Sequence, residues 1–261
     1  MKELEVAERA AVEAGKIAMK YFRGEFEVKY KGRNDLVTNA DVECERHIKK
    51  IISSEYPLHS FLGEEEGASG TDKNVWVIDP IDGTTNFVHG VEQFCHSVAL
   101  VKGNEIVCGA IYNPVMNLLY TAYKGKGAFL NGRRIKVSRS ESLGECLIIT
   151  GFPYDAVGAE ESDVHAKTLA AIASLRGRIH DVRRFGSAAL DLCRVAQGIC
   201  DAYFEYRIKP WDVAAGMLIV NEAGGKVTDI NGKDASFMSP HFVASNGLMH
   251  SELLGHLEGM P

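Results

Sequence analysis

The sequence predicts a mixed α and β protein, with an α+β first half followed by an α/β second half. Three patterns indicate this: helical periodicity at the start of the chain, short turn-separated apolar runs in the middle, and alternating strand and helix patterns after about residue 140. The chain has 261 residues, of which 46% are hydrophobic and 25% are charged. These values are ordinary for a globular protein that can bury a core without disulfides or a structural metal.

The first elements are helical. Apolar residues recur at three- and four-residue spacing through residues 1–22, which predicts an amphipathic helix. A second helix is predicted for residues 41–54, with Asn39 or Asp41 as its N-cap. Between the two helices, residues 25–30 alternate weakly and favour a short strand.

The middle of the chain is predicted to be an antiparallel meander. A buried strand at residues 75–78 should end at Pro80, because proline cannot donate to a sheet ladder. Three further strands are expected, at residues 96–101, 105–112 and 118–123. A hairpin is expected around Asn131-Gly132, between Phe129-Leu130 and residues 135–137.

The second half is expected to alternate strands with helices. Strands are predicted at residues 146–150, 202–205 and 226–228, and helices at residues 162–173, 187–197 and 213–223. The change of pattern falls near residues 138–144. We therefore expect an N-terminal part over residues 1–140, a C-terminal part over residues 141–261, and a cleft at their junction.

Charge and cysteine usage restrict the partner classes. There are 29 Lys and Arg against 35 Asp and Glu, a net charge of −6, which excludes nucleic-acid binding through bulk electrostatics. The longest apolar stretch, residues 213–220, is too short to span a membrane, and residues 1–16 are too charged for a signal peptide. Six cysteines without a C-x-x-C pair indicate reduced thiols, so we expect a cytoplasmic protein.

The strongest functional signal lies between Trp76 and Phe87. Asp79 follows a predicted buried strand, and Asp82 lies three residues further on, so that a tight turn would direct both carboxylates at one point. Gly83-Thr84-Thr85 would then begin a helix whose free N–H groups bind phosphate oxygens. Carboxylates would repel a phosphate unless a divalent cation lay between them. Because the ligands are oxygens alone, Mg²⁺ or Mn²⁺ is favoured over Zn²⁺.

Two further acidic features have alternative interpretations. Gly63-Glu64-Glu65-Glu66-Gly67 is either a solvated charged loop or part of the site, since it precedes the Asp79 strand. Asp212, in Trp211-Asp212-Val213, is either a helix N-cap or a ligand.

Taken together, these segments resemble the inositol monophosphatase family of metal-dependent, lithium-sensitive phosphatases. The resemblance covers nearly the whole chain and implies a layered α-β-α-β-α sugar-phosphatase sandwich. The motifs that carry it, in chain order, are Asp35-Leu36-Val37-Thr38-x-x-Asp41, Gly63-Glu64-Glu65, Asp79-Pro80-Ile81-Asp82-Gly83-Thr84-Thr85-Asn86-Phe87, Gly186-Ser187-Ala188-Ala189-Leu190-Asp191 and Trp211-Asp212-x-Ala214-Ala215-Gly216.

The resemblance implies a set of metal ligands. Glu64, Asp79 and the carbonyl of Ile81 would hold a first Mg²⁺, and Asp79, Asp82 and Asp212 would hold a second. A third, weaker ion near Glu64 would carry the nucleophilic water, so that two to three Mg²⁺ occupy each site, with Mn²⁺ as a substitute.

The remaining roles implied by the resemblance concern the water and the substrate. Thr84, hydrogen-bonded towards Asp41, would orient and deprotonate the water. The N–H groups of Gly83 and Thr84 would bind the phosphate. Glu205 and Asp212 would contact sugar hydroxyls, with the Ala188 backbone nearby. The family is usually homodimeric, so a homodimer is expected.

The implied reaction is hydrolysis of myo-inositol 1-phosphate, or a related polyol phosphate, to the free polyol and inorganic phosphate. The basic residues near the cleft leave a fructose-1,6-bisphosphatase or dual activity open, because one of Arg183, Arg184, Arg207 or Lys209 could reach a second phosphate. Otherwise these are surface or dimer-interface cations, and Lys31 is an additional candidate for phosphate neutralisation. A different class of function also stays open, namely a non-catalytic partner of the transcription machinery.

Overall fold

The structure is a computed structural model that describes residues 1–30, 36–153 and 159–257. Its helices are α1 (Lys2–Tyr21), α2 (Asn39–Glu55), α3 (Thr84–Val88), α4 (Ala159–Leu175), α5 (Ala188–Ala196), α6 (Pro210–Glu222) and α7 (His250–Gly255). Its strands are β1 (Val28–Tyr30), β2 (Leu36–Thr38), β3 (Ser60–Gly63), β4 (Gly67–Ser69), β5 (Asn74–Asp82), β6 (Cys95–Lys102), β7 (Glu105–Asn113), β8 (Leu118–Tyr123), β9 (Gly127–Leu130), β10 (Arg133–Arg134), β11 (Leu147–Thr150), β12 (Asp181–Arg183), β13 (Ala202–Tyr206), β14 (Lys226–Thr228) and β15 (His241–Ser245).

The N-terminal part is built on an eight-stranded sheet in the order β10-β9-β8-β7-β6-β5-β3-β4. The pairings are antiparallel except for β3 against β5, so the predicted meander from β5 to β9 is confirmed. Helices α1 and α2 pack on one face, where alanines such as Ala10 and Ala14 are fully buried against β6 and β7. Small side chains on α1 let the helix lie close to the sheet.

A second sheet has the order β12-β11-β13-β15-β14, in which β11 pairs in parallel with β12 and β13. Side chains alternate along its strands: Ile149 and Tyr203 face α5 and α6, while Ile148 and Phe204 face α4 and α7. Helices α5 and α6 therefore lie between the two large sheets, and the layers are α-β-α-β-α. The sandwich expected from the family resemblance is confirmed, while the division at residue 140 stays a prediction.

Four local expectations were wrong, two at helix caps and two at strand ends. Helix α2 is capped by Thr38 rather than by Asn39 or Asp41, and Asp41 sits at the third helical position, where its Oδ2 accepts the Thr38 N–H over 2.8 Å. Helix α6 is likewise capped by Lys209, with Asp212 at the third position. In both cases the aspartate completes the cap from inside the first turn, an arrangement that satisfies a backbone donor equally well.

Strand β5 does not stop at Pro80 but continues to Asp82, with a register shift between Asp79 and Asp82. The bulge tolerates a proline because no ladder hydrogen bond is required of it there. In the hairpin after Asn131-Gly132, the second strand is only Arg133–Arg134, and residues 135–137 do not continue it. Through the three described ranges, every helix is too short or too polar to cross a bilayer.

Candidate active site

A cleft of about 310 Å³ opens where the edge of the large sheet meets the first turns of α5 and α6. It is lined by residues between Leu36 and Thr85 and by residues between Gly151 and Asp212. Nine of the ten residues predicted for the site line it: Glu64, Asp79, Ile81, Asp82, Gly83, Thr84, Ala188, Glu205 and Asp212. The tenth, Asp41, lies directly behind Thr84, so the structure brings the whole predicted set together.

Glu64 and Asp79 are neighbours because strands β3 and β5 run in parallel and end side by side, with Gly63 opposite Ile78. The Glu64 N–H donates to the Ile78 carbonyl over 3.2 Å. Asp79 is 1% exposed, and its Oδ1 has no hydrogen-bond partner among the residues that the structure describes. Burial raises the pKa of Asp79 well above its usual value, and Glu64, Asp82 and Asp212 raise it further. The cleft is therefore lined by a buried acid whose charged form is disfavoured by its surroundings.

Asp82 is held by the beginning of α5. Its Oδ2 accepts the Ser187 hydroxyl at 2.6 Å and the Ala189 N–H at 2.7 Å, and its Oδ1 accepts the Ala188 N–H at 3.2 Å. Burial raises the pKa of Asp82 to about 6, while these hydrogen bonds lower it. The α5 N-terminus thus stabilises the anion and fixes its orientation.

Asp212 reaches the cleft from the first turn of α6. Its Oδ2 accepts the Lys209 N–H over 2.9 Å. Burial raises the pKa of Asp212 well above its usual value, and Asp82 and Glu64 add to this. The cap and the ligand interpretations of Asp212 are therefore compatible, since one oxygen caps the helix.

Thr84 connects Asp41 to the cleft. Its Oγ1 lies 3.1 Å from Asp41 Oδ1 and 3.0 Å from the Ile81 carbonyl oxygen. The other oxygen of Asp41 accepts the Thr38 hydroxyl at 2.5 Å, so both carboxylate oxygens are occupied. Burial raises the pKa of Asp41 to about 6. A threonine with its hydroxyl bonded to a carboxylate on one side can accept a proton from a water on the other.

Gly83 precedes α3 with φ of +93°, a left-handed conformation that favours glycine. A Cβ at this position would lie 2.8 Å from the Gln93 carbonyl oxygen, so a side chain is excluded on both counts. The conformation places the start of α3 at the cleft beside Asp82.

Glu205 lies on β13, on the far wall of the cleft. Its Oε2 accepts the Tyr203 hydroxyl at 2.6 Å, and a Cβ on Gly151 would lie 1.9 Å from the same oxygen. Burial raises the pKa of Glu205 to about 7. Tyr203 and Gly151 therefore confine the carboxylate to one orientation.

The basic residues divide into two groups. Arg184, Arg207 and Lys209 line the cleft, whereas Arg183 is exposed and pairs with Asp181. Lys31, like Asp35 of the first motif, falls outside the described residues.

The sequence analysis assigned no role to Ser187 or Asp191, although both lie in a motif it quoted. Ser187 binds Asp82, and Asp191 lines the cleft with its carboxylate 2.7 Å from Arg194. A serine at the start of a helix normally indicates a cap, so the sequence offered no reason to place Ser187 in the site. In the structure the Ser187 hydroxyl donates to Asp82 of the large sheet and not to the backbone of α5.

The donor set fits a hard divalent cation. It consists of carboxylate and carbonyl oxygens, and Asp79 Oδ1 offers an unpartnered buried lone pair. Within the described ranges, no three His, Cys, Asp or Glu side chains converge closely enough to chelate an ion by themselves. Proteins usually bind Mg²⁺ through one or two carboxylates together with water and substrate phosphate.

Comparison with known proteins agrees with this chemistry. A model of the inositol monophosphatase family matches residues 2–260. A protein of Pasteurella multocida named Nus factor SuhB is 42% identical over 260 residues, which cover 98% of this chain and 95% of that protein. The inositol-1-monophosphatase of Caulobacter vibrioides is 40% identical over 89% of this chain and 91% of its own length.

Solved structures show the same architecture. The extragenic suppressor protein suhB of Bartonella henselae superposes with a TM-score of 0.93 at 37% identity, covering 99% of both chains. A structure described as an IMPase/NADP phosphatase complexed with Mg²⁺ and phosphate has a TM-score of 0.82 at 26% identity, covering 95% of this chain and 91% of that one.

Proposed function

This chain belongs to the inositol monophosphatase family, whose members hydrolyse phosphate monoesters, and from that premise we propose that it hydrolyses myo-inositol 1-phosphate to inositol and inorganic phosphate with Mg²⁺. Related polyol phosphates would be further substrates. The Caulobacter relative carries that activity in its name, and a solved relative contains Mg²⁺ and phosphate together.

The observation that carries the proposal is Asp79. A buried carboxylate with an unpartnered oxygen, beside Glu64, Asp82 and Asp212, is costly unless positive charge neutralises the group. Two to three Mg²⁺, or Mn²⁺ in their place, would balance four carboxylates and a phosphate dianion. We propose Glu64, Asp79 and the Ile81 carbonyl as one ligand group, and Asp79, Asp82 and Asp212 as the other. Bound metal supplies charge neutralisation at the phosphoryl oxygens and lowers the pKa of water.

The protein's own groups would position the reactants. The Thr84 hydroxyl, which donates to Asp41, would accept a hydrogen bond from the attacking water. As the water loses its proton to Thr84, the hydroxyl proton of Thr84 would move to Asp41. The N–H groups of Gly83 and Thr84 would bind phosphate oxygens at the start of α3. Glu205 and Asp212 would accept hydrogen bonds from polyol hydroxyls, and the Ala188 backbone would border the ring.

Phosphate release should be measured from inositol 1-phosphate and fructose 1,6-bisphosphate side by side, with Mg²⁺ and with chelator. Release from the monophosphate that requires Mg²⁺ would support the proposal. An Asp82→Asn variant should be inactive while folded, because it removes a proposed ligand. Activity that persists in chelator, or in this variant, would contradict the metal assignment.

A dual sugar-phosphatase activity is the second candidate, because Arg184, Arg207 and Lys209 line the cleft. Comparable release from both substrates would favour it. A third candidate, a role with the transcription machinery, is suggested by the name Nus factor given to the Pasteurella relative. Such binding should survive Asp82→Asn, whereas hydrolysis should not.

We also propose that the protein is a homodimer and that Li⁺ inhibits it by occupying the second metal site and trapping the phosphate product. All six cysteines are buried and unpaired, which supports a reducing cytoplasmic location. Sedimentation equilibrium would test the dimer. A rate unaffected by high Li⁺ would contradict only the inhibition.

A further inference from the structure

Glu45 is a fully buried glutamate on helix α2 that lies outside the cleft. It follows Asp41 by four residues and precedes Lys49 by four, so the three share one face of the helix. A charged side chain is seldom buried so completely unless it is paired and hydrogen-bonded. Its partners therefore indicate what it does.

Those partners belong to the acidic turn, residues 64–66 between β3 and β4. The two oxygens of Glu45 accept the Glu65 N–H at 2.8 Å and the Glu66 N–H at 3.1 Å. Lys49 Nζ lies 2.6 Å from Glu45 Oε1 and 3.1 Å from Glu66 Oε2, so one ammonium joins the helix to the turn. The Glu45 carboxylate thus replaces water for two backbone donors of the turn.

The turn approaches Glu45 so closely that a side chain at Gly63 would displace the Glu45 carboxylate. A Cβ on Gly63 would lie 2.2 Å from Glu45 Oε1. The other side of the turn is fixed to β5, because the Glu64 N–H donates to the Ile78 carbonyl. Glu64 is therefore held from α2 on one side and from β5 on the other.

Helix α2 also holds Thr84, through Asp41. Asp41 and Glu45 are one helical turn apart, about 6 Å along the axis. One face of helix α2 thus contacts both the turn that carries Glu64 and the hydroxyl of Thr84.

We propose that Glu45 is a positioning residue, which anchors the acidic turn so that Glu64 faces the cleft already in place for a divalent cation. The inference rests on the proposed function, since it takes Glu64 as a metal ligand. Because Glu45 already fixes the turn in the absence of the ion, Mg²⁺ binding carries no entropic cost of ordering it. Loss of Glu45 should therefore lower the affinity for Mg²⁺ more than it lowers kcat.

The test compares wild-type protein, Glu45→Gln, Glu64→Gln and the double variant. Mg²⁺ binding is measured by calorimetry without substrate, and kcat is measured at saturating Mg²⁺ with inositol 1-phosphate. Glutamine keeps the shape but loses the ion pair with Lys49, and its amide group opposes one N–H of the turn. We expect Glu45→Gln to raise the Mg²⁺ dissociation constant about tenfold or more, with most of kcat retained. In the Glu64→Gln background it should add nothing to the loss of binding.

Glu43→Gln is the matched control, because Glu43 lies on the same helix, is exposed, and hydrogen-bonds Tyr21 rather than the turn. It should leave Mg²⁺ binding unchanged. If Glu45→Gln does not fold, Lys49→Met is measured in its place. This substitution removes the ion pair with Glu45 and keeps the hydrogen bonds from the N–H groups of Glu65 and Glu66. It should raise the dissociation constant in the same direction, and no change would overturn the proposal.

Two failures are distinguishable. A Glu45→Gln protein that melts earlier but binds Mg²⁺ like wild type would show that Glu45 only stabilises the fold. The same conclusion follows if its effect persists undiminished in the Glu64→Gln background. Normal Mg²⁺ binding by Glu64→Gln alone would instead overturn the ligand assignment in the proposed function, and the inference with it.

Discussion

Ser187 Oγ donates a hydrogen bond of 2.6 Å to Asp82 Oδ2, across 105 residues of sequence. The bond joins the large sheet to the start of α5 at the cleft. Ser187→Ala should lower the free energy of unfolding by about 2 kcal/mol, because a hydrogen bond to a buried charged group is lost. It should also lower kcat/KM about tenfold, since Asp82 then keeps only two backbone donors of α5 and the Cys95 thiol. Chemical denaturation and steady-state kinetics measure the two effects.

The control for this variant is Ser54→Ala, whose hydroxyl donates to the Ile51 carbonyl on the exposed side of α2. It should change stability and activity little. Equal effects of the two substitutions would contradict a special role for the Ser187 contact.

Asp79→Asn should separate stability from activity. In chelator we expect the variant to be more stable than wild type by about 1–2 kcal/mol, because it removes one of several mutually repelling buried carboxylates. Hydrolysis with Mg²⁺ should be lost. Thermal unfolding in chelator gives the first result, with Asp181→Asn as an exposed carboxylate control. A lower melting temperature would show that the cluster is not strained without metal.

The metal-free protein should lose stability as the pH rises from about 4.5 to about 7, the interval between the ordinary pKa of a glutamate and the raised pKa of Glu205. The pKa of Glu205 is raised to about 7, and the pKa values of Asp79 and Asp212 are raised well above 3.8. A carboxyl group with a raised pKa binds more protons in the folded state than in the unfolded state. Its contribution to the free energy of unfolding is therefore present at low pH and disappears as the group ionises in the folded protein. His96 and His250 have pKa values lowered to about 4 and act in the opposite sense, but only below about pH 6.5.

The free energy of unfolding should be measured in chelator at several pH values. Saturating Mg²⁺ should reduce its dependence on pH, because the metal ligands then stay ionised. An apo stability that is constant or rising over this interval would contradict the raised pKa values.

Gly151→Ala should change substrate preference more than catalysis. The new methyl group would collide with Glu205 Oε2 and force that carboxylate away from the Tyr203 hydroxyl. We expect KM for inositol 1-phosphate to rise about tenfold, as for the loss of a charge-assisted contact. KM for p-nitrophenyl phosphate, which has no polyol hydroxyls, should change much less. Equal changes for both substrates would indicate damage to the phosphate site instead.

Residue types and spacing identified the part of the site in which neighbouring residues act together. Asp79, Asp82 and Thr84 lie within six positions, directly after the apolar run at residues 75–78 that predicts a buried strand. The roles of distant residues such as Asp41 and Glu205 followed from the family resemblance. The layered fold was expected from the family resemblance, whereas local sequence patterns predicted only separate helices and strands.

Contacts between distant segments were not predictable. The neighbouring residues in the sequence do not indicate that the Ser187 hydroxyl binds Asp82 and not the backbone of its own helix. They also do not indicate that Glu45 binds the backbone of residues 65 and 66. The cap of α2 was misplaced because Asn39 and Asp41 have the right chemistry, while the backbone geometry favours Thr38. Strand β15, His241–Ser245, was missed because it gains its partners β13 and β14 only in the folded sheet.

Helix α6 fills the space between the two large sheets, and every residue from Val213 to Val220 is buried. The strands it contacts in the large sheet, β5 to β9, are complete by Leu130, far earlier in the chain. At about 5–20 residues per second, the ribosome delivers α6 several seconds after the sheet it must cover. During synthesis, one apolar face of a finished sheet is thus exposed to the cell. We expect nascent chains stalled before Pro210 to bind general chaperones or aggregate, whereas chains stalled after the C-terminus has emerged should not.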